Sequence, residues 1–220
     1  MNIPADMLAL PWLVLGYGLF LPLLGLSLRG APWQRFKQSA SLHLFLGTCV
    51  ALMLLWTLRA GVAPGLSFHV LGATFLTLVF GWRLAFLGLC IVLAGVTLAG
   101  QSGLETFAHN ALLLGAVPVG LSEGVRQLAE RFLPRHLFVY LFVSGFFNAA
   151  LAVGAAALAS AFFQYAAGVH ALGYLAEHYL PYIVLLLFPE GFLTGVCLSY
   201  FVIYHPEWVA SYREEIYLKG

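Results

Sequence analysis

Apolar runs long enough to cross a lipid bilayer follow one another from Leu8 to Tyr204, separated only by short clusters of charge, proline and glycine. A helix needs about 20 apolar residues to span a hydrocarbon layer of about 30 Å. Dividing the chain at those clusters gives seven predicted spans, at residues 8–28, 40–58, 68–81, 84–100, 105–122, 137–163 and 179–204. The third and fourth are short and parted only by Trp82 and Arg83, so a single bent helix or a re-entrant pair is the alternative, which lowers the count to six. With 62% hydrophobic and only 9% charged side chains, the chain has no surface for a soluble globule. The fold class expected is an all-α polytopic membrane protein of about seven transmembrane helices, forming one integral membrane domain over residues 1–220.

Basic residues orient the spans, because cytoplasmic loops carry an excess of Lys and Arg. With the amino terminus outside and seven alternating spans, Arg29, Arg35, Lys37, Arg83, Arg126, Arg131, Arg135, Arg213 and Lys219 all fall inside, and only Arg59 lies outside. Six spans would put the carboxy-terminal basic residues on the wrong side, so seven are preferred, with a cytoplasmic carboxy terminus. The first span is expected to be retained, since Asp6 and no basic residue precedes it. Ten basic against nine acidic residues leave no field for nucleic acid. Cys49, Cys90 and Cys197 each sit in an apolar run and read as buried hydrophobes rather than a disulfide framework. Gly120 to His136 carries charges with apolar residues at helical spacing, the pattern of an amphipathic helix end that a partner could contact.

This orientation sorts the histidines. His43, His136 and His205 lie near the inner face, whereas His69, His109, His170 and His178 lie outside together with Met1, Asn2 and Asp6. Imidazoles, an amine and an amide or carboxylate oxygen suit divalent nickel, cobalt, copper or zinc. Within the spans the polar side chains are Asn110, Asn148 and Glu190, the last following Pro189. A carboxylate at that depth is costly unless it is bonded. It reads as a structural hydrogen-bond acceptor that satisfies backbone freed by Pro189, or as a group with a role in proton movement or coupling.

Four stretches, in order, resemble the CbiM and NikM family, the substrate-binding membrane subunits of energy-coupling factor transporters for cobalt and nickel. They are MNIPADML at the amino terminus, FHVLGATFLTLVFGWRLAFLG from Phe68, FAHNALLLGAVPVG from Phe107, and PEGFLTG from Pro189 followed by HPEWV from His205. The resemblance implies capture and transport of a transition-metal ion, nickel or cobalt before copper or zinc, across a bacterial inner membrane. Residues 1–7 would cap the site from outside. The ligands implied are the Met1 amine, the Asn2 backbone nitrogen and His69, with Asp6 and Asn110 lining the site. Asn2 departs from the family's imidazole at that position, and His109 is the replacement expected from its place beside Asn110. Leu113 and Leu114 stand where the family has an asparagine and a methionine. No Gly-x-x-x-x-Gly-Lys loop is present, so the resemblance implies a transmembrane coupling subunit and cytoplasmic ATPases as partners, and no enzymatic activity of the chain's own. Two other readings follow from the residues: a metal-free assembly or regulatory member of the family, favoured by Asn2, Leu113 and Leu114, and a haem protein using His43 and His205.

Overall fold

The structure, a computed structural model, describes residues 2–4, 6–63 and 65–217. Its long helices are α1 (Leu10–Gly30) and α2 (Ser39–Thr57), joined by a single turn at Trp33–Lys37. Pro11 opens α1, where a missing N–H costs nothing. A two-stranded antiparallel hairpin follows, β1 (Ala60–Ala63) with β2 (Leu66–Phe68), pairing Ala60 with Phe68. Next come α3 (Ala73–Phe80) and α4 (Trp82–Leu98), then α5 (Phe107–Ala111), which continues through a π-helical segment at Leu112–Ala116 into α6 (Val117–Phe132). Pro118 has no N–H to give the carbonyl four residues back, which accounts for the changed register just before it. After α7 (Leu137–Val139) a second π segment, Tyr140–Phe147, leads into α8 (Asn148–Ala166). The chain ends with α9 (Leu172–His178), α10 (Leu180–Tyr204) and α11 (Glu214–Tyr217).

Among the described residues four helices are long and apolar enough to cross a membrane: Leu10–Gly30, Ser39–Thr57, Leu137–Ala166 and Leu180–Tyr204. Their outer faces are apolar and exposed, as at Leu10, Leu54, Phe162 and Leu185, the arrangement expected against lipid. At the centre sits α3, roughly 12 Å long for its eight residues. It packs on α4, α6, α8 and α10, and Leu76, Leu78 and Val79 are wholly buried. Lipid supplies little hydrophobic drive between helices, so close contact depends on small residues. Ala149, Ala152 and Ala156 line the buried face of α8, and Gly191 on α10 lies against the Phe146 carbonyl, where a Cβ would approach to 2.8 Å.

The fold is all-α as expected apart from the short hairpin, and the third predicted span needs a correction. Phe68 closes a strand and the helix begins only at Ala73, because Gly72 adopts a left-handed conformation (φ +69°) that stops a helix from running through it. Gly81 (φ +83°) then separates α3 from α4, so residues 73–80 and 82–98 are two helices rather than one bent one. The fifth predicted span, ending at 122, runs on to Phe132. Its charged extension is held by Arg126, whose guanidinium pairs with Glu123 at 2.6 Å and also with Glu130. The other boundaries differ from expectation by about three residues at most, the usual play at helix ends.

Candidate metal centre

Asn2 and Ile3 are buried, although they precede the first helix. The cause is Asn110, whose side-chain amide reads the Ile3 peptide in both directions. Its Oδ1 accepts from the Ile3 N–H at 2.8 Å, and its Nδ2 donates to the Ile3 carbonyl at 3.0 Å. The Thr106 hydroxyl, one helical turn earlier on the same face, donates to that carbonyl at 2.7 Å. Ser102 accepts from Asn110 Nδ2 at 2.8 Å and fixes the amide's orientation. Buried backbone groups need partners, and Asn110 and Thr106 supply them for Ile3. Further along, the Asp6 N–H donates to the Glu105 carboxylate, while the Asp6 side chain is exposed. The hairpin lies over this segment: at Gly65 an added Cβ would meet Pro4 at 3.5 Å, and Gln164 Nε2 on α8 donates to the Gly65 carbonyl at 3.2 Å.

Seated in this way, the segment aims Asn2 at His69. Asn2 Oδ1 and His69 Nε2 are 3.1 Å apart, with both residues almost fully buried. His69 leaves the hairpin after Phe68 and enters the connection that ends at Gly72. Its ring lies 4.6 Å from that of Trp56, and Trp56 Nε1 donates to the Leu71 carbonyl at 3.3 Å. Burial pushes the His69 imidazole down to about 3, so it is neutral at neutral pH. With a proton on Nε2 it donates to Asn2. With the proton on Nδ1, 3.3 Å from the Val70 carbonyl, it turns a lone pair toward the Asn2 oxygen. The 3.1 Å separation is that of a hydrogen bond, and it leaves both polar atoms of the pair at one point of the protein interior.

Glu190 is bonded to the same connection. Its Oε2 accepts from the Leu71 N–H at 2.6 Å and its Oε1 from the Gly72 N–H at 2.8 Å. The backbone it satisfies is therefore that ahead of α3 rather than any freed by Pro189.

His109 lies on another face of α5. Successive residues of a helix point about 100° apart, so while Asn110 faces the amino-terminal segment, His109 faces α1 and α8. Its ring is 4.8 Å from that of Phe163 and fills the space above Gly16, where a Cβ would come within 2.2 Å. The contacts of His109, expected as the replacement imidazole, are thus with α1 and α8. Met1 lies outside the described residues. Among the described residues no three His, Cys, Asp or Glu side chains gather to hold a metal. His170 and His178 stack on either face of Tyr174, at 5.4 and 4.4 Å. His205 is stacked on Trp208 at 4.0 Å and bonded to Glu207, while His43 is exposed. Sequence reasoning passed over Thr106, Trp56 and Gln164. Only Thr106 left a signal, its spacing of four from Asn110.

Over residues 2–208 the chain matches the family described as "Cobalt uptake substrate-specific transmembrane region". Among solved structures it is similar to a transition metal transporter at 17% identity, with the whole of both chains covered and a TM-score of 0.77. A truncated transition metal transporter is 16% identical, with 93% of this chain and 100% of that one covered and a TM-score of 0.77. No curated protein sequence matches significantly. At such identities the structural likeness is one of fold, and the family match, spanning nearly the whole length, carries the assignment: this chain belongs to the CbiM family of substrate-specific transmembrane regions of cobalt uptake.

Proposed function

We propose that the chain is the metal-capturing component of a transition-metal uptake system in a bacterial inner membrane, working with a transmembrane coupling subunit and cytoplasmic ATPases. Seven helical segments lie within the bilayer, the short α3 buried among the others rather than crossing alone, with the amino terminus outside, and nickel or cobalt is the cargo. The Met1 amine, the Asn2 backbone nitrogen and His69 Nε2 hold the ion, and the Asn2 side-chain oxygen takes the place of an imidazole. Amide oxygen is a poorer ligand than imidazole for late first-row metals, so this site is weaker than one with two imidazoles.

The observation that carries the reading is the buried Asn2–His69 pair, built by seating the Ile3 peptide on Asn110 and Thr106. A globular tail has no reason to bury an amide and an imidazole against each other at a bundle end. An ion held there is shielded from water by Trp56 and the hairpin. The site opens when the amino-terminal segment or the His69 connection moves, and movement toward the inner side needs energy from partner subunits.

One observation favours the metal-free reading. Asn2 satisfies His69 directly, so this pocket is closed by a hydrogen bond without any ion. Uptake in cells separates the two. Nickel or cobalt accumulation by the assembled system should fail when Met1 is blocked by an added tag or His69 is changed to Ala. Undiminished accumulation in both variants would refute the assignment.

A further inference from the structure

The carboxylate of Glu190 is the most deeply placed acidic group among the described residues, 1% exposed on an apolar helix. Such burial is expensive unless the charge is fully bonded. Its partners are two consecutive backbone N–H groups, Leu71 at 2.6 Å and Gly72 at 2.8 Å. The left-handed conformation of Gly72 (φ +69°) turns successive N–H groups to one side, which makes a small anion-binding nest. The nest stands at the N-terminal end of α3, where the helix dipole also favours a negative charge. The opposite side of the same turn is held by Trp56, which donates to the Leu71 carbonyl and lies against the His69 ring. The turn from His69 to Gly72 is therefore gripped from α10 on one side and from α2 on the other. On α10 the gripping residue is followed by Gly191, where an added Cβ would meet the Phe146 carbonyl at 2.8 Å, so the helix is closely packed beside the grip.

We propose that Glu190 is the positioning residue of the metal site: from α10 it holds the turn that aims His69 at Asn2, so that displacement of α10 releases the imidazole. This rests on the metal-capture reading given above and adds the element through which the site is opened. A carboxylate accepting two backbone donors cannot be imitated by an amide, which offers one oxygen and sets an NH2 against the second N–H. Losing one charge-assisted bond lowers the equilibrium constant for the gripped turn by about 10- to 100-fold, and the apparent affinity for a ligand of His69 falls by up to the same factor.

The test is a double-mutant cycle on the purified full chain, with cobalt and nickel ions as probes. Glu190→Gln should weaken binding by about 10- to 100-fold, and the double variant Glu190→Gln with His69→Ala should bind no more weakly than His69→Ala alone, since both act through one imidazole. Additive losses would overturn the proposal. A second readout needs no metal: the His69 ring nitrogen resonances should shift in Glu190→Gln, and unchanged resonances would overturn it. If the parent chain binds no metal but those resonances shift, the capture reading fails and the positioning role stands. Should Glu190→Gln not fold, Glu190→Asp, whose charge retreats by one methylene, serves for both measurements with the same expected and contrary results.

Discussion

Replacing Asn110 by Ala removes the partner that seats the amino-terminal segment, and the cost can be worked from its bonds. The Ile3 N–H, bonded at 2.8 Å and buried, loses its acceptor. Leaving such a group unpaired costs about 1–3 kcal/mol. The Ile3 carbonyl loses a donor at 3.0 Å but keeps the Thr106 hydroxyl, a further loss of about 1 kcal/mol. The seat is thus weakened by about 2–4 kcal/mol. At about 1.4 kcal/mol per tenfold, cobalt or nickel affinity should fall by up to about 30- to 1,000-fold, because only the seated segment presents its ligands. Thr106→Val removes a single donor and should cost about fivefold. Competition titration against a chelator of known affinity measures both. Equal affinity in Asn110→Ala and the parent chain, both shown to be folded by circular dichroism, would mean that the segment holds no ligand and would refute the reasoning.

Gly16→Ala should destabilise the fold by about 1–3 kcal/mol, since its Cβ would reach within 2.2 Å of the His109 ring, and His109→Ala should restore the melting temperature of the double variant. His109→Ala alone should leave metal affinity unchanged, and a loss would return His109 to the ligand set. The depressed His69 pKa predicts a pH dependence of stability. Below the ordinary value of 6.5 the unfolded chain takes up a proton that the folded chain refuses until about 3, so this group's contribution, intact above 6.5, is lost as pH falls through that window. Thermal melts of the parent chain and His69→Ala should therefore converge as the pH is lowered from 7 toward 4, and a constant difference would contradict the assigned environment.

The legible part of the fold was set by local chemistry. Ser39–Thr57 and Leu180–Tyr204 begin and end within two residues of their expected limits, because polar or charged neighbours and Pro181 mark them. Phe68 and His69 were misread as helix because a buried strand and a buried helix share the same apolar composition. What separates them is the pairing of Phe68 with Ala60 and the grip of a carboxylate 118 residues away. The same distance problem hid the seat of Ile3, whose partner Asn110 lies 107 residues on. His109 illustrates a different limit. It was chosen for adjacency to Asn110 in the chain, whereas on a helix adjacency directs side chains to different faces. Thr106, one turn from Asn110, was the residue helical geometry could have supplied.

The central claim, that the seated amino-terminal segment and His69 together hold a transition-metal ion, is tested most directly by equilibrium binding of nickel and cobalt ions to the purified chain, followed by elemental analysis. A chain beginning at a free Met1 should retain one ion per molecule. The same chain extended by a single residue ahead of Met1, and the His69→Ala variant, should each bind it too weakly to retain it through purification. Absence of metal from the parent chain, or equal retention by all three, would contradict the account.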